Sequence, residues 1–475
     1  MLALGSLVWI VALAATWSMG RLAVLALTLL GLALGAWVRV RWSRPRRPDA
    51  EDPAPPTWPF VSVHVPICNE PPELVRETLE ALARVRYPAF EVIVLDNNTD
   101  DPALWRPVRA RCAALGPRFR FEHVPHMEGF KAGALNRCLE LSDPRAEYVF
   151  VADADYVVEP EALELAVRCA RGEDATYVQF PQAYRNVAPG TEGLRAHYRH
   201  YFAAVLPTAQ ALGAPLLTGT MCLVSVAALR EVGGWSDASI TEDAQLGIEL
   251  LRRGRRGRYV DRVIGRGLMP TSLSALRAQR RRWVFGNAQT LASLRLADLR
   301  RLGPRRVAAV ALQLTAWFEP GIAVWVTTLA ALALAAVGAP WATEIALATG
   351  GLVAAWWVFP LMWEWAGSGD LRRAAKARLV SAALSWEASS AWLEAWLGVR
   401  LPFVRTDKGA AGALRLRDCG PVLGVAATFL VGAGLALLLG APALVLAAAG
   451  CALVLGGTVY TRRELAAAER VRALH

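Results

Sequence analysis

The sequence predicts an α/β domain with a mainly parallel sheet, inserted between two groups of membrane-spanning helices. Apolar residues are concentrated at both ends of the 475-residue chain. In the middle, short apolar runs alternate with amphipathic stretches, which is the pattern of strand–helix–strand units. Lys and Arg cluster beside the apolar segments, as they do where helices leave a membrane on its cytosolic side.

Composition and charge favour a membrane protein over a nucleic-acid-binding one. Hydrophobic residues make up 55% of the chain and the mean hydropathy is +0.31, which is high for a soluble protein. A net charge of +11 suits nucleic acid, anionic lipid or an anionic substrate. No nucleic-acid-binding motif is present, so we expect no nucleic acid partner. The seven cysteines form no C-x-x-C pair, which predicts reduced thiols and no zinc site.

Residues 1–47 are predicted to form a transmembrane hairpin. The apolar runs are 2–17 and 22–40, and a span needs about 20 residues, so the first run is marginal. A signal peptide is the alternative for that run, but no basic residue precedes it and a second span follows at once. Residues 48–57 read as a Pro-rich linker.

Residues 48–306 are predicted to form the sheet-containing domain, which lies in the cytosol. Parallel strands joined by helices bring ligands to the carboxyl ends of the strands. We therefore searched those ends for polar side chains. The predicted strands are 61–67, 90–96 and 148–155, and the predicted helices are 73–85 and one that begins near Glu161.

Residues 307–475 are predicted to contain about four transmembrane helices and a polar interfacial stretch at 366–418. Glu319 and Pro320 interrupt the first apolar run, so that helix is bent or follows an interfacial helix. Glu319 and Glu364 are acids within or near spans, where acids are often functional. The predicted spans are 308–337, 342–365, 420–440 and 442–460.

Three acidic residues stand at the ends of predicted strands. Asp153 and Asp155 close the run YVFVADAD, and two carboxylates at that spacing can share one hard divalent cation, although such pairs are also commonly solvated. Asp96 ends the run FEVIVLD. It can accept hydrogen bonds from a ribose or a base, or it can simply cap a turn.

The run Thr241-Glu242-Asp243 precedes an amphipathic helix. Thr241 suits the N-cap, with the two acids in the first helical turn. The functional interpretation adds that Asp243 is the general base that deprotonates an acceptor hydroxyl.

A further motif, Gln279-Arg280-Arg281-Arg282-Trp283, stands just before the C-terminal spans. Arg suits paired phosphate oxygens, so Arg282 is a candidate for a donor diphosphate and Trp283 for a sugar face. The alternative is a basic cluster on an amphipathic helix at the membrane surface.

In this order, the motifs resemble those of family 2 glycosyltransferases of the processive, cellulose-synthase-like and hyaluronan-synthase-like membrane subgroup. The resemblance covers residues 60–290 in sequence and 290–475 in architecture. Two departures are Asn97-Asn98, where many relatives have a second acid followed by glycine, and Asp407, where relatives often have proline. Other matching segments are 66–70 (PICNE), 131–136 (KAGALN), 218–220 (TGT), 231–235 (EVGGW) and 403–409 (FVRTDKG).

The resemblance implies a GT-A fold, Mg²⁺ or Mn²⁺ as cofactor, and an inverting single displacement. It implies the following roles: Asp243 as base; Glu70, Asp96, Lys131, Asp153, Arg282 and Lys408 at the donor nucleotide; Asp155 at the metal; and Thr241, Glu242, Gln279, Trp283 and Gly219 at the acceptor platform. Lys408 lies in a segment that resembles a mobile gating loop.

The expected protein is a multi-pass enzyme of a bacterial-type inner membrane that elongates a β-linked polysaccharide and exports it. UDP-glucose is the first expected donor, with UDP-N-acetylglucosamine and GDP-mannose behind it. The expected partners are this donor, a growing glycan or glycolipid acceptor, and membrane lipid. Two alternatives stay open: a non-processive transferase acting on a lipid or short glycan, and an inactive nucleotide-sugar sensor or transporter.

Overall fold

The structure is a computed structural model that describes residues 53–339, 341–399, 420–438 and 442–472. The predicted hairpin at 1–47 and the predicted gating loop with Lys408 lie outside the described residues.

The domain is built on strands made of β-branched and aromatic residues, as expected for a sheet buried on both faces. Every residue of β2 is buried. The strands predicted at 61–67 and 90–96 are confirmed, whereas the third ends four residues earlier than predicted, so both aspartates of the D-x-D motif lie in the loop beyond it. The first four strands are β1 (Phe60–Ile67), β2 (Phe90–Asn97), β3 (Phe119–Val124) and β4 (Ala146–Val151).

Seven strands form the central sheet in the order β3-β2-β1-β4-β8-β6-β9. Pairings among β1 to β4, and between β6 and β9, are parallel. Strand β8 runs antiparallel to both of its neighbours, so the sheet is mixed rather than simply parallel. The sequence of β8, CLVS, is too short to indicate in which direction the strand runs. The additional strands are β6 (Tyr177–Gln179), β8 (Cys222–Ser225) and β9 (Gly257–Tyr259).

A three-stranded second sheet lies beyond the D-x-D loop, in the order β5-β10-β7. Strand β10 pairs antiparallel with β5 and parallel with β7. This sheet brings the segment before the Q-x-x-R-W helix close to the aspartates. Its strands are β5 (Val157–Val158), β7 (Ala183–Tyr184) and β10 (Gly265–Gly267).

Helices cover both faces of the central sheet. The predicted helix at 73–85 is present as α1, which buries Leu74, Val75, Leu79 and Leu82 at helical spacing. The second predicted helix starts one residue after Glu161. The helices of the domain are α1 (Pro72–Ala83), α2 (Pro102–Leu115), α3 (Phe130–Leu141), α4 (Ala162–Gly172), α5 (Glu192–His200), α6 (Leu206–Ala211), α7 (Val226–Val232), α8 (Glu242–Arg252) and α9 (Leu273–Ala292), with a π-helical turn at Tyr201–Val205.

The described residues of the C-terminal region form helices joined by short turns. Of these helices, α12 has a stretch, Ala342–Trp365, that is long and apolar enough to cross a membrane by length and composition, and α11 is apolar but shorter. The helices are α10 (Leu296–Leu314), α11 (Gly321–Ala336), α12 (Ala342–Ser368), α13 (Leu371–Ala383), α14 (Ser385–Trp396), α15 (Gly420–Leu438) and α16 (Pro442–Arg472).

The apolar run predicted as one span at 308–337 is divided between α10 and α11. The break includes Glu319, which is buried and accepts hydrogen bonds from both terminal nitrogens of Arg378, at 3.1 and 3.0 Å. A buried carboxylate needs such a partner. Glu319 therefore joins the start of α11 to α13 instead of standing unpaired in a span.

Helix α14 packs along α9 and forms one of the contacts between the sheet-containing domain and the C-terminal region. Arg277 of α9 pairs with Glu387 at 3.0 Å, and Arg281 pairs with Glu394. These pairs lie one turn apart on α9, so they set the register of the two helices.

Candidate active site

Four predicted site residues meet at the edge of the sheet where β4 ends. Lys131, in the first turn of α3, donates hydrogen bonds to Asp153 Oδ1 at 2.6 Å and to the Gly219 carbonyl at 2.8 Å. Its ammonium is also 3.7 Å from Glu242 Oε1. The loop after β4, the loop before β8 and the first turn of α8 therefore converge on one ammonium group.

The charges of this cluster shift the acidity of its members. Burial alone lowers the pKa of Lys131, but the negative charges of Asp153, Glu242 and Asp243 outweigh it, and the net shift is upward. For Asp243, burial and the charge of Glu242 raise the pKa to about 7, against the opposing effect of Lys131. A carboxylate with that pKa is suited to accept a proton near neutral pH.

Gly219 is required where it stands. Its φ of +80° favours glycine, and a Cβ there would lie 2.8 Å from Asp243 Oδ2 and 3.4 Å from Lys131 Nζ. The Gly219 carbonyl orients Lys131, and the absence of a side chain leaves room for Asp243. The neighbouring Thr220 Oγ1 accepts a hydrogen bond from the Asp153 amide at 3.0 Å.

The T-E-D motif opens α8, but the expected side-chain cap was wrong. Thr241 occupies the N-cap position without a capping hydrogen bond. Its hydroxyl instead lies 3.1 Å from Ser239 Oγ. A Cβ on Gly286 of α9 would come within 2.5 Å of Thr241 Oγ1. Thr241 thus packs tightly between α8 and α9. This packing holds Asp243 beside the Q-x-x-R-W helix.

Asp96 is buried at the end of β2 and is held by two hydrogen bonds. Thr99 Oγ1 donates to one oxygen at 2.7 Å, and His123 Nδ1 lies 2.6 Å from the other. The net shift of the Asp96 pKa is upward, because burial raises it more than the hydrogen bonds from Thr99 and His123 lower it. The bond from Thr99 lies within the turn that follows β2, so it is also consistent with the turn-cap alternative. The cap of α2 is Asp101, which accepts from the Ala103 amide at 2.8 Å.

The loop after β1 is tied to the loop after β2. The Asn69 amide donates to Thr99 Oγ1 at 2.8 Å, and the Asn69 side chain donates to the Asn98 carbonyl at 3.0 Å. Glu70 is buried in the same loop. The two loops predicted to hold a nucleoside therefore form one unit at the sheet edge.

The Q-x-x-R-W helix, α9, places its motif residues in different environments. Burial lowers the pKa of Arg282, and the charges of Glu242, Asp153 and Asp243 raise it, so this guanidinium is electrostatically coupled to the acidic cluster. Gln279 accepts a hydrogen bond from the Tyr198 hydroxyl. It therefore supports an aromatic side chain.

A cavity that is partly open to solvent is lined by Asp243 and by several aromatic side chains. Aromatic faces with a few convergent polar groups suit a sugar ring better than a purely apolar ligand. The carboxylate lies at the same cavity as the rings. Its lining includes Thr241, Asp243, Asn287, Tyr201, Trp283 and Trp317.

The D-x-D pair offers two carboxylates for a divalent cation. Asp155 is buried, and its Oδ2 accepts a hydrogen bond from the Leu268 amide at 2.8 Å. In the part of the chain that the structure describes, no group of three or more His, Cys, Asp and Glu residues could hold a metal alone. Mg²⁺ commonly takes one or two carboxylates and completes its shell with phosphate oxygens and water. A cation at this pair would therefore bind together with a diphosphate, with Asp153 also bonded to Lys131.

Several residues of the site were not predicted from the sequence. His123 and Trp105 support Asp96, with their rings stacked at 4.3 Å. Tyr198 and Trp317 were not singled out as site residues either. No spacing rule links these residues, since their proximity depends on the folded arrangement of separate elements.

A mixed α/β sheet with an acidic and basic cluster at its carboxyl edge is the arrangement of a GT-A glycosyltransferase domain. Residues 56–286 match the family described as "Glycosyltransferase like family 2". Residues 56–286 therefore form a domain of the family 2 glycosyltransferase type, and the relatives that the chain resembles are of the cellulose-synthase-like kind.

The names of two relatives describe enzymes that make β-linked polysaccharides. The chain is 29% identical over 282 residues to a UDP-forming cellulose synthase catalytic subunit of Xanthomonas axonopodis pv. citri (strain 306), covering 56% of this chain and 37% of that protein. It is 28% identical over 246 residues to glucomannan 4-beta-mannosyltransferase 7 of Arabidopsis thaliana, covering 50% of this chain and 44% of that protein. The chain thus spans less than half the length of these two relatives.

A solved structure confirms the fold. The mannosyltransferase of Pyrobaculum calidifontis, in complex with GDP-mannose and Mn²⁺, superposes with a TM-score of 0.55 at 22% identity, covering 79% of this chain and 98% of that one.

Proposed function

We propose that the protein is a membrane-bound inverting glycosyltransferase that moves a hexose from a nucleotide sugar onto a β-linked polysaccharide. One observation carries the proposal above the others. Asp243, with its pKa raised to about 7, lies beside the cationic Lys131 and lines the aromatic cavity. Such a carboxylate is placed to serve a donor on one side and an acceptor on the other.

The donor side is formed by cations and by the Asp96 unit. Lys131 and Arg282 supply positive charge for the diphosphate, and Arg suits paired phosphate oxygens. Asp96 and Glu70 are proposed to hold the nucleoside. UDP-glucose is the first proposed donor, in line with the name of the cellulose synthase relative. GDP-mannose is the second, in line with the mannosyltransferase relatives.

The chemistry is a single displacement at the anomeric carbon. Asp243 accepts the proton of the acceptor hydroxyl as its oxygen bonds to that carbon, and the bond to the diphosphate breaks. The guanidinium of Arg282 and the ammonium of Lys131 offset the negative charge that develops on the leaving diphosphate. A bound Mg²⁺ or Mn²⁺, held by Asp155 with Asp153 nearby, would add further charge stabilisation there.

The acceptor side faces the C-terminal region. Trp283 lines the cavity and belongs to the helix that packs on α14. We propose that the described helices, with Ala342–Trp365 as the clearest span, hold the enzyme in an inner membrane with the catalytic domain in the cytosol. Export of the product is part of this proposal.

A donor screen tests the proposal. Purified full-length protein is incubated in detergent with UDP-glucose, GDP-mannose or UDP-N-acetylglucosamine and either Mg²⁺ or Mn²⁺. We expect one donor to release its nucleoside diphosphate and to yield a glycan. A long product supports a processive synthase, whereas a single added sugar supports a non-processive transferase. Binding of a donor without diphosphate release would identify an inactive sensor and contradict the proposal.

A further inference from the structure

The largest fully buried side chain among the described residues is an arginine, Arg280 of α9, which is 2% exposed. Its guanidinium carbon lies 3.7 Å from the ring centroid of Trp317, 5.0 Å from that of Trp283 and 6.0 Å from that of Tyr198. Its Nε and Nη1 atoms are buried and make no hydrogen bond to any residue that the structure describes. The group is therefore enclosed by aromatic faces instead of carboxylates.

The hydrogen bond of this guanidinium goes to a histidine. Arg280 Nη2 donates to His197 Nε2 at 2.7 Å, so the ring proton resides on Nδ1, which is 3.1 Å from Ser381 Oγ. Burial, followed by the positive charges of Arg280 and Arg378, lowers the pKa of His197 well below its usual value. A neutral imidazole thus connects α9 through α5 to α13.

Stability alone does not explain this arrangement. Burial of a guanidinium without a carboxylate is costly, and cation–π attraction offsets part of that cost. An apolar side chain could fill the same space with no polar atom left unbonded. The cost is reasonable where the charge orients neighbours that bind substrate.

The neighbours of Arg280 are cavity residues. Trp283 and Trp317 both line the cavity that Asp243 lines, and Trp317 is also stacked with Tyr201 at 5.2 Å and 14° between the ring planes. The guanidinium thus contacts the two indoles from within the protein. Movement of either ring changes the shape of the cavity at the proposed base.

We infer that Arg280 is a positioning residue that holds the rings of Trp283 and Trp317 in the orientation that seats a glycan acceptor beside Asp243. The inference rests on the proposed function and specifies the acceptor as a sugar polymer. The guanidinium does not touch the reacting atoms. Its loss leaves the donor site intact but lets water replace the acceptor hydroxyl. The water oxygen then bonds to the anomeric carbon, the bond to the diphosphate breaks, and the water proton passes to Asp243.

The test compares Arg280→Lys with Arg281→Lys in full-length protein purified in detergent. Lysine keeps the charge at Arg280 but lacks the planar group that stacks on indoles, whereas at Arg281 it keeps the pairing with Glu394. The probes are UDP-glucose with cellohexaose and GDP-mannose with mannohexaose. Diphosphate release and glycan extension are measured separately, each as a function of donor and of acceptor concentration.

For Arg280→Lys we expect a donor KM within about twofold of wild type and an acceptor KM raised about fivefold or more. The ratio of hydrolysis to transfer should rise by a similar factor. The reason is that loss of the contact between the guanidinium and the indole rings is worth up to about tenfold in binding. Arg281→Lys should match wild type in all three. A merely structural role would reduce the amount of active protein and leave the ratio unchanged.

An unchanged hydrolysis-to-transfer ratio in a folded Arg280→Lys protein overturns the inference. If that variant does not fold, His197→Ala removes the hydrogen-bonded partner and leaves Arg280 in place, and the same rise in the ratio is expected. An unchanged ratio there has the same meaning. Wild-type protein that releases no diphosphate from UDP-glucose, GDP-mannose or UDP-N-acetylglucosamine overturns the proposed function and this inference together.

Discussion

Replacement of Asp243 by asparagine removes the proposed base while hardly changing the size of the side chain. The carboxylate lies against the position where Gly219 lacks a Cβ, and asparagine occupies nearly the same volume. General-base catalysis contributes about 10²–10⁴-fold to a rate, which corresponds to about 3–5 kcal/mol in the activation barrier. We therefore expect Asp243→Asn to lower kcat by at least about a hundredfold, with little change in the KM of the donor.

The pH dependence gives this prediction a second readout. Because the pKa of Asp243 is raised to about 7, about nine-tenths of the wild-type enzyme carries the base form at about pH 8 and about one-tenth at about pH 6. The wild-type rate should fall about tenfold between these values as the pH drops through the pKa. The residual rate of the asparagine variant should lack this step.

Thermal unfolding separates loss of the base from loss of the fold. The raised pKa of Asp243 means that its charged form opposes folding once the pH exceeds its ordinary value. The asparagine variant should therefore be no less stable than wild type near pH 8. Asp174→Asn is the matched control, since Asp174 is exposed in a turn with φ of +50°, which asparagine tolerates. Wild-type activity in Asp243→Asn, or an unchanged pH step, would refute the assignment.

Three further predictions concern the rest of the site. Gly219→Ala should reduce kcat at least about tenfold, because its Cβ would lie 2.8 Å from Asp243 Oδ2. The control Gly254→Ala has a similar φ of +74° and no atom within 4 Å, so it should cost only about 1 kcal/mol of stability. Equal losses of activity in the two variants would contradict this. Asp155→Asn should raise the Mn²⁺ or Mg²⁺ concentration needed for half-maximal activity about tenfold or more, since even the loss of a residue that only orients a metal ligand commonly lowers metal affinity by about that factor. An unchanged metal titration would exclude Asp155 as a ligand. His123→Gln should raise the donor Kd in calorimetry about fivefold, because a charge-assisted hydrogen bond is weakened, while the exposed His126→Gln should not.

The parts of the fold that were predictable from sequence depend on local patterns. Runs rich in Val and Ile predicted β1 and β2, and helical spacing of Leu residues predicted α1, because these signals lie within one element. The direction of β8 and the early end of β4 were not predictable in this way. Both depend on hydrogen bonds between strands that are distant in sequence.

The candidate site also contains residues that local patterns identify and residues whose role depends on contacts between distant parts of the chain. The acids Asp153 and Asp243 were identifiable because each stands at the end or start of an element with a recognisable motif. The need for glycine at position 219 depends on the approach of Asp243 from another helix. His123 is 27 residues away from Asp96 in sequence, and no spacing rule connects them.

The basic run in α9 shows why a sequence pattern can conceal separate roles. Read as a string, the three arginines form one positive cluster. Successive residues on an α-helix point about 100° apart, so they face three different surroundings. Arg280 faces the aromatic rings, Arg281 pairs with Glu394, and Arg282 is coupled to the acidic cluster.

The configuration of the product tests the central claim most directly. Full-length protein is supplied with a nucleotide sugar labelled with ¹³C at the anomeric carbon, and the product linkage is read by NMR as diphosphate release is counted. A single displacement assisted by Asp243 predicts a β-linked glycan from an α-linked donor, with one diphosphate released for each sugar transferred. An α-linked product, or a β-linked product formed equally well by Asp243→Asn, would contradict the account.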